Sequence, residues 1–310
     1  MQAVEAAVAT HTAGSPVDKN MVWTNRSPRQ FAEEVAAVGY SVCADTARRS
    51  LTEDLELGLR QAEKEVAGKT CAFREEQFEH IARRRKWYER RGWPVLSIDT
   101  KKKELLGDFF RPGRAYTDGV VRVLDHDFAT LGSGRLAPYG VYDVAQNESF
   151  LFLGQSADTS EFVCDALWRW WQRLGKRRYW HASGLLLLCD CGGSNGNRQH
   201  RFKEDLADLA YKLRRPIEVA HYPPGCSKFN PIERRMFCHV TRVLQGVVLR
   251  SIQVARDFMA RTTTASGLQV IVEVARHTYE RGRKATVEFL NEMPIRCGKL
   301  LPQFNYTARA

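Results

Sequence analysis

The chain of 310 residues lacks several features that mark large classes of proteins. No apolar run approaches the roughly 18 residues that a membrane-spanning helix requires. Residues 1–21 are small and polar, with neither a basic segment nor a long apolar core, so we expect no signal peptide and predict a disordered lead-in. The eight cysteines form no C-x-x-C pair. These absences favour a protein of a reducing compartment without membrane association.

Common catalytic motifs are also missing. The chain has no G-x-S-x-G turn for a nucleophilic serine, and no glycine-rich loop followed by Lys and Ser or Thr for nucleotide phosphates. The pair His126-Asp127 resembles part of a histidine–aspartate metal motif, but partner histidines at suitable spacing are lacking. Acyl transfer and phosphate-loop chemistry are therefore not supported.

Positive charge is abundant, and it is clustered. Lys and Arg number 47 against 36 Asp and Glu, giving a net charge of +11 and a sequence pI near 9.4. The segment Arg83 to Arg91 (RRRKWYERR) has six cations and one anion. A basic helix with interleaved aromatic residues suits a phosphate backbone, with Arg84 and Arg85 as candidate DNA contacts. The alternative is a merely solvated helix face.

Residues 22–92 are predicted to form a helix-turn-helix region followed by a basic helical linker. Ser27 and Pro28 are typical of a helix start, Gly39 breaks that helix, and a second helix is predicted from about Ala44 to Leu55. The second helix would be the recognition helix in the major groove. The alternative is an ordinary helical hairpin. The DNA contacts predicted in this region are Arg26, Arg29, Arg48 and Arg49.

Residues 93–310 alternate between strand and helix patterns. Short apolar runs predict strands beginning at residues 95, 104, 139, 149, 185 and 217. Helical spacing dominates 158–174, 198–213 and the segment around Glu233. This order predicts an α/β fold, an RNase H-like mixed five-stranded sheet flanked by helices and preceded by the all-α region, with the catalytic domain and a C-terminal extension in 93–310.

Three carboxylates lie where metal-dependent phosphodiester chemistry needs them. Asp99 and Asp190 each end an apolar strand, and Glu233 lies near a helix start. We predict that they hold two Mg²⁺ ions, replaceable by Mn²⁺, about 4 Å apart. Glu233 has an alternative explanation, because Asn230 as the helix cap and Pro231 at the first helical position also form a helix-start signature.

Polar and basic residues follow each acid. Lys101 and Lys102 come after Asp99, Ser194 and Asn195 follow Asp190, and Lys228 and Arg234 bracket Glu233. We predict that all six contact DNA. For the segment after Asp190, a tight strand-to-helix turn explains its glycines equally well.

Four blocks of sequence resemble one known family. They are Ser97 to Phe109, His126 to Glu148, Asp190 to Asn197 and His221 to Phe237, supported by Thr262 to Leu268 and Phe304 to Thr307. These blocks resemble the ISAzo-type insertion-sequence transposases, also called Rhodopirellula-type DDE transposases. The resemblance implies an RNase H-like fold and a catalytic triad of Asp99, Asp190 and Glu233. Members usually extend further at the N-terminus, so an upstream DNA-binding element is expected to be missing here.

The resemblance implies a DDE transposase that cleaves DNA at transposon ends and joins them to target DNA with Mg²⁺. Its expected partners are double-stranded DNA, as inverted repeats and target, and further copies of itself; no membrane is expected. The expected location is the cytoplasm on the bacterial nucleoid, or the nucleus for a host-adopted eukaryotic copy. Two alternatives remain: a diverged DNA-binding protein without productive transposition, and a structure-specific nuclease that never joins its products.

Overall fold

The computed structural model describes residues 12–14, 22–24, 26–60 and 73–310. The chain divides into two compact units, Met1–Ala67 and Gly68–Ala310. Within the described ranges, no helix has the length and apolarity needed to cross a bilayer.

The first unit contains a small hairpin and a pair of helices. Strands β1 (Thr12–Gly14) and β2 (Val22–Thr24) pair antiparallel, so the predicted disordered lead-in is wrong over residues 12–14, where backbone pairing with β2 orders the chain. Helix α1 spans Pro28–Ala37, and α2 spans Ala44–Arg49 and continues as a π-helical turn, Ser50–Asp54.

The two predicted helices pack as a hairpin. Ser27 caps α1 through a capping box with Gln30. Phe31 and Val35 of α1 are buried with Ala47 of α2 and residues of the following turn. The helical pair is confirmed, while its role as a DNA reader stays a prediction.

Helix α3 (Arg74–Arg90) belongs to the second unit, where the sequence predicted a linker over residues 57–92. Its Ile81 and Tyr88 are buried in one core with Val95 and Leu186 of the sheet. The linker prediction is therefore wrong over 74–90. The apolar residues of this helix lie on one face, and that face packs against the sheet. Residues 61–72 of the predicted linker lie outside the described residues.

The described part of the second unit has one large mixed sheet. Its strands are β3 (Val95–Thr100), β4 (Glu104–Leu106), β5 (Gly134–Asp143), β6 (Glu148–Gly154), β7 (Leu185–Cys189), β8 (Ile217–His221), β9 (Gln269–Val274), β10 (Ile295–Cys297) and β11 (Asn305–Ala308). Their order is β10-β11-β8-β7-β3-β5-β6-β9, with β4 paired to β5. The central order β8-β7-β3-β5-β6, with β5 antiparallel to its neighbours, is RNase H-like and confirms the predicted fold class.

The sheet is larger than the predicted five strands because the C-terminal segment extends both edges. Strand β9 pairs parallel with β6, and β11 pairs antiparallel with β8. The short hairpin partner β10 then lies on β11. Residues beyond the catalytic motif therefore complete the sheet.

Helices cover both faces of the sheet. One face carries α4 (Ser160–Trp170), which continues through a π-helical turn to Arg178, and α5 (His200–Leu213). The other face carries α3, the π-helical turn Glu233–Phe237 with α6 (Cys238–Val243), and α7 (Ile252–Ala260). A last helix, α8, spans Val287–Glu292. Alternate residues of β3 and β7 enter the two cores, as the strand period of two requires.

Candidate active site

Asp99 and Asp190 are neighbours across two parallel strands. The register of β3 and β7 pairs Val95 with Leu186 and Ser97 with Leu188, each residue with the one 91 positions later. Asp99 and Asp190 have the same offset, so both come at the ends of adjacent strands, which run about 4.8 Å apart. By strand alternation they share the face on which Val95 and Leu186 are buried, the face that carries Glu233.

Gly140 lets the Glu233 segment lie directly against this edge of the sheet. Gly140 is the partner of Asp99 in the β3–β5 register. A Cβ on Gly140 would lie 2.6 Å from Cδ1 of Ile232, 2.8 Å from Cε of Met236 and 2.8 Å from a ring carbon of Phe237. Only a residue without a side chain allows this approach.

A buried hydrogen-bond network joins the Asp99 strand to the start of the Glu233 helix. The hydroxyl of Ser97 accepts from the backbone N–H of Ile232 at 2.9 Å and donates to Oδ1 of Asn230. The amide of Asn230 donates to the carbonyl of Ile98 at 3.1 Å. Thus Ser97, on strand β3, caps this helix. The helix begins at Pro231 directly after Asn230, as predicted, but the Asn230 amide bonds the sheet and Ser97 accepts from the helix N–H in its place.

The three carboxylates interact electrostatically. Burial raises the pKa of Asp99 to about 8, and the charges of Asp190 and Glu233 add to this rise. A hydrogen bond from the N–H of Thr100 lowers the pKa in part. Burial also raises the pKa of Asp190. The pKa of Glu233 is raised by burial and by Asp190, while Lys101 opposes the rise. Glu233 lies within side-chain hydrogen-bonding reach of Asp99.

This donor set fits a divalent cation by its chemistry. Clustered carboxylate oxygens are the ligands that Mg²⁺ and Mn²⁺ prefer, and a cation between them would offset their mutual repulsion. As the side chains stand, no three acidic, histidine or cysteine groups among the described residues form a cluster ready to hold a metal ion. The residues are gathered, but a complete coordination sphere is not preformed.

His221 holds the backbone of Asp190 in place. Its Nδ1 lies 2.6 Å from the carbonyl oxygen of Asp190, and Nε2 lies 3.2 Å from the hydroxyl of Tyr306. Burial lowers the pKa of His221 to about 4, so the ring is neutral. A neutral ring donates from Nδ1 to the carbonyl and accepts from Tyr306 at Nε2. The sequence did not indicate this contact.

A second buried support comes from helix α3 and the last strand. Gln77 donates to the carbonyl of His221 at 2.9 Å and to the amide oxygen of Asn305 at 2.8 Å. Asn305 donates back to Gln77 at 2.7 Å. These polar residues were not predicted as part of the site. The only sequence signal was the resemblance of the terminal FNYT block to the family.

Several predicted DNA contacts are instead bound within the protein. Arg84 makes a bidentate ion pair with Glu218 at 2.5 Å, and Arg85 pairs with Glu89 at 2.6 Å. Lys101 is buried and pairs with Glu104 at 2.6 Å.

The two polar residues after Asp190 are buried as well. The hydroxyl of Ser194 donates to Asp158 at 2.8 Å, and Asn195 is only 2% exposed. Ser194 nevertheless lines a cleft, and the phosphate contacts of Ser194 and Asn195 stay predictions.

The other residues predicted to contact DNA are exposed, except for Arg26, which forms an ion pair. Lys228 and Arg234 are exposed beside Glu233, and Lys102 is exposed after Asp99. In the first unit Arg29, Arg48 and Arg49 are exposed, whereas Arg26 pairs with Glu34 at 2.8 Å. Their DNA contacts stay predictions.

Comparison with solved structures finds distant similarity to Mos1 transposase complexes. The paired-end complex with the left transposon end is 13% identical, with 76% of this chain and 65% of that chain covered and a TM-score of 0.44. The mariner paired-end complex with Mn is 12% identical, with 83% and 68% covered and a TM-score of 0.45. The strand transfer complex is 14% identical, with 76% and 64% covered and a TM-score of 0.45. The chain thus spans about two thirds of the length of these proteins.

No curated protein matches this chain. A family model described as the Rhodopirellula transposase DDE domain matches residues 3–310. That match includes the two strand-end aspartates, the helix glutamate and the C-terminal strands that complete the sheet. The chain therefore belongs to the Rhodopirellula transposase DDE domain family.

Proposed function

We propose that this protein is a DDE transposase, which cleaves DNA at transposon ends and transfers the ends into target DNA. The observation that carries the proposal is the register of β3 and β7, which brings Asp99 beside Asp190 on the face that carries Glu233. Membership of the transposase family supports the same reaction. The substrates proposed are double-stranded inverted repeats and target DNA.

The roles of the protein groups follow from their contacts. Asp99, Asp190 and Glu233 would hold two Mg²⁺ ions, with Mn²⁺ as a substitute. Their side chains would move together to coordinate the ions. Bound divalent ions supply charge stabilisation to the attacking and leaving oxygens of a phosphodiester exchange. Ser97 and Asn230 fix the helix of Glu233 against the strand of Asp99, and His221 holds the backbone of Asp190.

DNA binding is proposed for the exposed cations around the acids and on the helical pair. Lys102, Lys228 and Arg234 border the carboxylates at the surface, and Arg48 and Arg49 end α2 on its solvent side. The net charge of +11 favours a polyanion. We further propose that the protein acts as a homo-oligomer on DNA and associates with the bacterial nucleoid.

Nicking of supercoiled plasmid in Mn²⁺ tests the proposal. Wild-type protein is compared with Asp190→Ala and with Asp208→Asn, an exposed acid on α5 that serves as the matched control. We expect nicking by wild type and by Asp208→Asn, and a loss of at least about 100-fold in Asp190→Ala. Joining of an excised end to a second DNA then separates a transposase from a nuclease.

Equal nicking by Asp190→Ala would overturn the catalytic assignment. Absence of nicking by folded wild-type protein that binds DNA would favour the alternative of a DNA-binding protein without productive transposition.

A further inference from the structure

A cationic cleft lies at the start of strand β5 and the end of strand β6. Its volume is about 330 Å³, and its lining includes the side chains of Lys103, Arg135 and Arg281 together with Gln155 and Ser156. No acidic residue is among the described residues that line it. Three cations gathered from three separate segments form an anion-binding site by their charge.

These three cations are not neutralised within the described parts of the chain. Lys103, Arg135 and Arg281 are exposed, and none takes part in an ion pair between described residues. Lys103 and Arg281 also line an adjoining cleft, whose other cations have acidic partners. There Arg201 pairs with Glu204 at 2.9 Å, and Arg283 pairs with Glu161. The adjoining cleft is mixed in charge, since Asp158 and Glu280 also line it, whereas the charged residues that line the first cleft are all cations.

The position of Arg281 is built into the fold. Two residues earlier, Tyr279 is 3% exposed, and its backbone N–H donates to the hydroxyl of Ser156 at 3.0 Å. The Tyr279 hydroxyl donates to Asp165 on α4 at 2.8 Å, and its ring packs against Phe162 with centroids 5.1 Å apart. This anchor holds the C-terminal segment on the loop after β6. The contacts of Tyr279 therefore fix the backbone two residues before Arg281, which lines the cleft.

The cleft is close to the catalytic carboxylates. Its residue Lys103 follows Asp99 by four positions, and the adjoining cleft that Lys103 also lines includes Ser194, four positions after Asp190. Arg135 and Ala137 point to the sheet face opposite Gly140, so the loop after β3, which holds Lys103, links the cleft to the carboxylates. Four residues of chain span at most about 14 Å, roughly four base steps along one strand of B-DNA. A DNA strand whose phosphodiester lies at the carboxylates reaches the cleft within a few nucleotides.

We propose that Lys103, Arg135 and Arg281 bind the sugar–phosphate backbone of the DNA strand next to the cleaved bond. This inference rests on the proposed function, because it takes the substrate strand to lie at Asp99 and Asp190. The cleft holds the strand through the charge of its three cations. The C-terminal segment thereby takes part in substrate positioning as well as in completing the sheet.

The salt dependence of DNA binding tests this cleft directly. Affinity for a short duplex of arbitrary sequence is measured over a series of salt concentrations for wild type and Arg135→Gln/Arg281→Gln. Each phosphate contact contributes about 0.9 to the slope of log affinity against log salt, so we expect the double variant to lower the magnitude of the slope by about 1.8. The variant Arg135→Lys/Arg281→Lys keeps both charges and should retain the wild-type slope.

The matched control is Lys176→Gln/Arg177→Gln, which removes the same charge at the other end of the sheet. These residues are exposed and precede Arg178, which contacts Glu148 at the first residue of β6, whereas the cleft follows the last residue of that strand. The control should leave the slope unchanged. An unchanged slope in Arg135→Gln/Arg281→Gln, or an equal fall in the control, would overturn the cleft proposal.

Plasmid nicking by wild type, run in parallel, separates this inference from the proposed function. Nicking that depends on Asp190, with no effect of the cleft variant on the slope, overturns the cleft alone. A lowered slope without any nicking keeps the cleft as a DNA-binding surface and counts against the transposase.

Discussion

The hydroxyl of Ser97 lies 2.9 Å from the backbone nitrogen of Ile232, a residue 135 positions later and adjacent to Glu233. Ser97 is two residues before Asp99 on the same strand and points to the same face. One buried bond therefore ties the helix that carries the third carboxylate to the strand that carries the first.

Replacement of Ser97 by Ala should impair catalysis more than folding. The variant loses the helix cap and leaves the Asn230 amide oxygen without its donor, so we expect a stability loss of about 1–2 kcal/mol and a fall in nicking rate of about 10-fold or more. Denaturant unfolding and plasmid nicking measure the two effects. Ser149→Ala is the control, since Ser149 is also a buried strand serine and its hydroxyl has no hydrogen-bond partner among the described residues. Comparable nicking rates in both variants would contradict the positioning role.

Replacement of Gly140 by Ala should displace the Glu233 helix. The added Cβ would come within 2.6–2.8 Å of side-chain atoms of Ile232, Met236 and Phe237. We expect a destabilisation of about 1–3 kcal/mol and strongly reduced nicking, with DNA affinity unchanged. Gly119→Ala is the control, since a Cβ there meets nothing within 4 Å and its backbone is not in the left-handed region. Partial recovery in Gly140→Ala/Ile232→Val, which removes the nearest atom, would show that the clash is the cause.

Replacement of Asp99 by Asn should change how stability depends on pH. The folded-state pKa of Asp99 is raised to about 8 from the usual value of 3.8, so between these values the folded protein binds more protons than the unfolded chain. The contribution of Asp99 to stability is therefore lost as pH rises from about 4 to 8. In metal-free buffer we expect Asp99→Asn to exceed wild type in stability by on the order of 2 kcal/mol at pH 8, with the difference vanishing towards pH 4.

Urea unfolding at several pH values measures this difference. Asp208→Asn, at an exposed position, is the control substitution. A difference between Asp99→Asn and wild type that stays constant with pH would contradict the raised pKa of Asp99.

Replacement of Arg84 by Gln should reduce stability with little effect on DNA binding. Arg84 is bound bidentately to Glu218, which also accepts from the hydroxyl of Tyr88 at 3.2 Å. Removing the cation leaves a partly buried carboxylate short of a partner, and we expect a loss of about 1–3 kcal/mol. Arg83→Gln, at an exposed position of the same helix, should be neutral in stability. If Arg84→Gln instead weakened DNA binding more than Arg83→Gln, the predicted DNA contact of Arg84 would be supported.

The RNase H-like core was predictable because its signals are local. The unbroken apolar run Leu185–Cys189 indicates a strand covered on both faces. The spacing of apolar residues also changes from a helical to a strand period at residue 94, and back to a helical period near Ser160. Strand limits were less accurate. The predicted strand from residue 104 to 110 ends at Leu106, because the next residue, Gly107, has a φ of +128°. Strand β5 begins at Gly134 because pairing with β4 extends it.

The ion pairs of the basic helix show what local reasoning does not reach. A run such as RRRKWYERR has the same composition whether its cations face DNA or the protein. Only the fold brings Glu218 to Arg84, across 134 residues of sequence. In the same way, nothing in the sequence around Asp190 indicates that Ser194 donates to Asp158.

The sequence by itself determined the residue types of this protein: three carboxylates, two of them after apolar strands, with basic residues beside each and a family pattern around them. The tertiary structure alone decided that Asp99 and Asp190 share a register, that Ser97 and not Asn230 caps the Glu233 helix, and that C-terminal strands extend the sheet and place Arg281 by the site. The physical reason is that local preferences act over a few residues, whereas register, capping and charge pairing depend on groups far apart in sequence that come together only when the core packs.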